Sequence, residues 1–136
     1  MSADGLLRAA REWASADSRV TGLVLVGSHA RGCETPESDI DLVILTGVPE
    51  RLLADACWLN AFGHVRRKRM ECYGRVTSVR VWYAGGPEVE FGVTGSQWAS
   101  LPLDDGTRKV LKDGALVLYD EEGHLTHALS SIGEEL

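Results

Sequence analysis

Residues Gly27–Leu45, "GSHARGCETPESDIDLVIL", open like a phosphate-binding turn and close with two aspartates, one residue apart, at the mouth of an apolar strand. Strand alternation puts Ile40, Leu42 and Ile44 on one face of "SDIDLVIL" and Asp39, Asp41, Val43 and Leu45 on the other. One face can therefore enter a core without carrying a carboxylate with it. The two aspartates point the same way and repel one another unless a cation lies between them. Mg²⁺ takes oxygen ligands and keeps positions open for water and phosphates, so two carboxylates plus a triphosphate suit it better than Ca²⁺, which takes more protein oxygens. For D-x-D alone a second explanation stands beside this one: Ser38 and Asp39 cap a turn, and Asp41 is solvated.

The glycines ahead of the aspartates are read in the same way. Gly27 and Gly32 have P-loop spacing, but Cys33 and Glu34 stand where that loop needs Lys and Ser or Thr. A Gly-Ser turn between a strand and a short helix, "SHARG", still presents backbone N–H groups and the Ser28 hydroxyl to a phosphate. The same turn also serves purely structural chain reversals.

Outward from this stretch the chain reads as alternating helices and strands. Leu6, Ala10 and Trp13 recur at helical spacing near the N-terminus, and "LVLVGS" after Gly22 is a short buried strand. "PERLLADACWLNAFG" begins with a proline suited to a first helical turn and reads as a crossover helix ending near Gly63. "GRVTSVRVWYAGGPEVEFGVT" reads as an antiparallel hairpin about a tight "GGP" turn, its second strand placing Glu88, Glu90 and Gly92 opposite Val89, Phe91 and Val93. "SQWASLPLDDGTRKVLKDG" reads as short helices broken by Pro102 and Gly106, and "ALVLYDEEGHL" as a last strand and turn. Glu90 thus adds a third carboxylate, mid-strand, on a hairpin able to pair beside the D-x-D strand; alone it also reads as half of an exposed pair with Glu88.

Bulk properties narrow the function. The chain has 136 residues, 44% hydrophobic and 25% charged, as for an ordinary globule with one core, so residues 1–136 are expected to form a single domain. No apolar run is long enough to span a bilayer, and the N-terminus lacks the basic start and apolar stretch of a signal peptide. Three cysteines, Cys33, Cys57 and Cys72, form no C-x-x-C pair and suggest a reducing, cytoplasmic setting. A net charge of −6 disfavours a long nucleic acid as partner. The run Arg66–Arg69 reads as a solvated basic face, and His124 and His127 lack the companions of a metal site.

At this point "GSHARG" followed by "SDIDLVIL" resembles the signature of the DNA polymerase β-like nucleotidyltransferase superfamily: G-S-x-A-R-G, then S-D-x-D and an apolar residue, then an acid on a later strand, here Glu90. Within it the chain looks most like the minimal and the small antibiotic nucleotidyltransferases. The resemblance implies the nucleotidyltransferase fold, an α/β (α+β) arrangement with a small mixed β-sheet flanked by helices on one face. It also implies two Mg²⁺ ions held by Asp39, Asp41 and Glu90, with the phosphates of a nucleoside triphosphate at Gly27, Ser28 and Arg31. Glu90 is a further candidate to take the acceptor's proton, should burial raise its pKa. Arg31 has another reading, as the ion-pair partner of Glu34 or Glu37. The implied activity is transfer of a nucleoside monophosphate, AMP from ATP, to a hydroxyl of a small molecule or protein, with release of pyrophosphate. The alternatives are a minimal nucleotidyltransferase antitoxin of a toxin–antitoxin pair and an inactive nucleotide-binding relative. Two departures stand out: Glu90 replaces the more usual Asp, and no helical substrate domain like that of antibiotic-modifying relatives is expected within these residues, so a homodimer partner or another protein is expected to complete the pocket.

Overall fold

The computed structural model describes residues 3–35 and 38–134. In chain order it contains α1 (Ala3–Ala16), β1 (Val20–Val26), α2 (Ser28–Arg31), β2 (Ile40–Thr46), α3 (Pro49–Ala54), a 3-10 helix (Ala56–Phe62), β3 (Val65–Tyr73), β4 (Val76–Tyr83), β5 (Glu88–Thr94), a 3-10 turn (Ser96–Ala99), α4 (Asp105–Lys112), β6 (Ala115–Asp120) and α5 (His124–Glu134).

The six strands form one mixed sheet in the order β3-β4-β5-β2-β1-β6. β2 and β5 run parallel, with Ile40 opposite Val89 and Asp41 opposite Glu90, and the remaining neighbours are antiparallel. The expected β4–β5 hairpin is present, and it lands beside the D-x-D strand.

One face of the sheet carries Leu23, Leu25, Ile40, Leu42, Ile44, Val79, Val81, Val89, Phe91 and Val93 into a core with Leu6 and Ala10 of α1, Leu52 of α3, and Trp58 and Phe62. Rings fill its centre: Trp13 stacks on Trp58 at 5.0 Å between centroids, and Phe62 stacks on Phe91 at 5.6 Å. The Trp58 indole N–H donates to the Leu52 carbonyl at 2.8 Å, closing the step between α3 and the 3-10 helix. Asp55 makes that step: extended backbone ends α3, and its carboxylate accepts the Cys57 N–H.

The opposite face is covered as well, which corrects the expectation of helices on one face only. Val24, Val26, Val43 and Leu45 bury against Trp98, Leu103, Leu111, Leu125, Ala128 and Ile132, brought by the Ser96–Ala99 turn, α4 and α5. The reason lies in the strands themselves, because β1 and β2 are apolar on both sides, the pattern of strands sandwiched between layers. Gly106 does not break a helix; it lies in the first turn of α4, which Asp104 caps by accepting the Thr107 N–H at 2.9 Å. The basic run Arg66–Arg69 belongs to β3, an edge strand exposed over most of its length, where charge guards an unpaired rim.

No helix among the described residues is long and apolar enough to cross a membrane.

Candidate active site

β1 delivers the chain to Gly27, whose φ of 78° lies in the region only glycine adopts freely. The chain then turns into α2, with the Gly27 carbonyl accepting from Ala30 and Arg31 and the Ser28 carbonyl from Cys33. A second left-handed glycine, Gly32, ends this single turn. His29 Nε2 lies 3.5 Å from the Ser38 carbonyl, tying α2 to the approach to β2. Glu37 lies outside the described residues.

Sheet register does the rest. Asp41 stands on β2 between Val26 of β1 and Glu90 of β5. Asp39 precedes β2 by one residue, on the same side. One oxygen each from Asp39, Asp41 and Glu90 lies within 4.8 Å of the others. The longer glutamate side chain therefore does not take the third carboxylate out of the cluster. Burial first, and then the charges of Asp39 and Glu90, push the Asp41 carboxyl up to about 7. Excess negative charge on three oxygen donors is a good match for a divalent ion, so these residues fit the Mg²⁺ implied by the motif. Both oxygens of Glu90 are taken: Ser78 donates to Oε1 at 2.6 Å and Arg80 to Oε2 at 2.8 Å.

Arg80 was not anticipated from the sequence. Its Nη1 donates to Asp39 at 3.0 Å and to Glu88 at 2.8 Å while Nη2 holds Glu90, so one guanidinium spans three carboxylates. Burial works against its charge, and the charges of Glu90, Glu88 and Asp39 outweigh that, so its pKa is raised. Its position follows from the register Arg80↔Glu90, a signal that emerges only once the β4–β5 pairing is fixed.

A cavity of about 580 Å³ opens beside the cluster, with Gly27, Arg31, Asp41, Ser78, Glu90 and Trp98 among its walls. Of the residues picked from the sequence, Gly27, Arg31, Asp41 and Glu90 share this cavity, and Asp39 joins through the carboxylate cluster. Ser28 opens α2 next to Gly27 and is not part of the cavity wall among the described residues. The stem of Arg31 rests where Gly114 leaves room for it; a β-carbon there would come within 2.7 Å of Arg31 Cγ.

This geometry agrees with the comparisons. The model of the nucleotidyltransferase domain family matches residues 6–76, just over half of the 136-residue chain. The chain belongs to the nucleotidyltransferase domain family, as the motif resemblance indicated. Its fold is similar to that of an aminoglycoside 6-adenyltransferase from Bacillus subtilis, with a TM-score of 0.58 and 15% identity over 73% of this chain and 37% of that one. It is also similar to Cid1 in complex with the UTP analog UMPNPP, with a TM-score of 0.46 and 19% identity over 68% of this chain and 31% of that one. The chain thus spans only about a third of the length of these two structures. No curated protein matches the sequence. The family match contains Gly27, Ser28, Arg31, Asp39 and Asp41 but stops before Arg80 and Glu90.

Proposed function

We propose that the protein is a Mg²⁺-dependent nucleotidyltransferase that moves AMP from ATP to an acceptor hydroxyl and releases pyrophosphate. The observation that carries this reading is the meeting of Asp39, Asp41 and Glu90, within 4.8 Å, one strand away from the glycine turn. In it Asp39, Asp41 and Glu90 hold the metal, and the backbone at Gly27 and Ser28 receives the β- and γ-phosphates. Divalent ions held there neutralise charge at the phosphates and acidify the acceptor hydroxyl. Arg31, on the cavity wall, adds positive charge toward the triphosphate. Ser78 fixes the rotamer of Glu90 through its 2.6 Å hydrogen bond, so that the third carboxylate is aimed before substrate arrives. The acceptor, a small molecule or a partner protein, meets the carboxylate cluster in this cavity. An adenyltransferase among the fold neighbours makes ATP the donor to test first.

The direct test is to incubate the protein with Mg²⁺ and ATP labelled on the α-phosphate and to follow pyrophosphate release and label transfer. Asp41→Asn is expected to abolish both while leaving the circular dichroism spectrum unchanged. Transfer by that variant at the wild-type rate would overturn the reading.

A further inference from the structure

We propose that Arg80 is a built-in counter-cation that neutralises the carboxylate cluster before metal binds and is handed over to Glu88 when a divalent ion enters. This rests on the metal-binding role proposed above for Asp39, Asp41 and Glu90. It adds a positioning residue and a holding residue that the family match, ending at residue 76, does not contain.

The geometry is unusually specific. Arg80 pairs with Asp39 at 3.0 Å and with Glu90 at 2.8 Å, two of the three residues that converge on the candidate metal position. Its third partner, Glu88 at 2.8 Å, is not one of those three. All four side chains are between a quarter and a third exposed, so their charges are only partly screened by solvent. Arg80 holds Oδ2 of Asp39 and Oε2 of Glu90, and a divalent ion drawing on the same two carboxylates would lie close enough to the guanidinium for strong repulsion between the two cations. They are therefore competitors for those carboxylates.

Glu88 makes the exchange easy. It already shares Nη1 of Arg80 with Asp39, so the guanidinium can give up Asp39 and Glu90 while keeping an anionic partner. Rotation within the side chain suffices, and the charge is not left unpaired. On the other side Arg69 stands across from Arg80 on β3, but it is paired with Glu71 at 2.6 Å, so its charge is already met there.

The test is Mn²⁺ binding without nucleotide, read by electron paramagnetic resonance of the free ion, with thermal melts in parallel to confirm folding. Removing the competing cation in Arg80→Met is expected to tighten Mn²⁺ binding by about tenfold or more. Arg80→Lys keeps the charge and should stay near wild type. Glu88→Gln removes the holding site and should weaken Mn²⁺ binding severalfold, because Arg80 is then committed to Asp39 and Glu90. A folded Arg80→Met that binds Mn²⁺ no tighter than wild type, or a Glu88→Gln variant that binds it more tightly, overturns the exchange. If neither wild type nor any variant binds Mn²⁺, the metal-binding reading itself fails, an outcome distinct from either of these.

Discussion

Gly27 sits so closely against Asp41 that a β-carbon on the glycine would run into the Asp41 carboxylate. The strand β1 and the turn after it are thereby fitted to the acid on the next strand. Two effects act together in Gly27→Ala: the methyl meets the carboxylate, and a backbone at φ 78° and ψ −158°, a conformation essentially reserved for glycine, strains any L-residue by about 1–3 kcal/mol. Gly32 provides the comparison, since its φ of 72° and ψ of 22° lie in the milder left-handed helical region and nothing lies within 4 Å of its β-position. Both variants should lower the unfolding free energy, Gly27→Ala more than Gly32→Ala. Only Gly27→Ala should also lose Mn²⁺ binding. Equal effects of the two on metal affinity would show that the contact with Asp41 does not shape the site.

The raised pKa of Asp41 makes a prediction about stability in the chelated protein. A carboxyl at about 7 in the folded state and about 3.8 when unfolded binds its proton more tightly in the fold. Its contribution is therefore most favourable below the unfolded value, declines as pH climbs from about 4 to about 7, and is flat above that. Asparagine mimics the protonated acid at every pH. In urea titrations with chelator, Asp41→Asn should match wild type near pH 4 and exceed it by about 2–4 kcal/mol at pH 8. Saturating Mg²⁺ should shrink the gap. Parallel stability curves for the two proteins would mean that Asp41 is not held under electrostatic strain.

The legible parts of this molecule are those encoded within one stretch of chain. The turn at Gly27 and the D-x-D strand each depend on residues that are neighbours in sequence, so alternation and turn chemistry suffice to find them. Glu90 was legible for the same reason, because the period of its own strand puts it on the polar face. The parts that depend on register were not. Arg80 gains its meaning from lying opposite Glu90, and that pairing is a property of two strands and the turn between them. β3 was missed because nearly every residue on it is exposed, which erases the alternation that marks a half-buried strand. Coverage of both faces was legible in principle: Leu23, Val24, Leu25 and Val26 run without a polar residue, a pattern with no solvent side.

The last prediction concerns how the second layer is attached to the sheet. Asp120, the final residue of β6, accepts the Leu125 N–H at 3.2 Å, the Thr126 N–H at 2.8 Å and the Thr126 hydroxyl at 2.7 Å. These bonds satisfy otherwise open N–H groups at the start of α5 and fix the helix to the strand before it. Leu125, Ala128 and Ile132 are then carried into the core that Val24 and Leu45 share. Asp120→Ala should cost about 1–2 kcal/mol, and Asp120→Asn less, since its side-chain oxygen still accepts. Leu125→Ala, emptying a fully buried position, should cost about 2–5 kcal/mol. None of the three touches the carboxylate cluster, so Mn²⁺ affinity in the folded proteins should be unchanged. Chemical denaturation alongside Mn²⁺ titration separates the two quantities; a loss of affinity in Asp120→Ala at full folding would mean that α5 positions the site as well as the core.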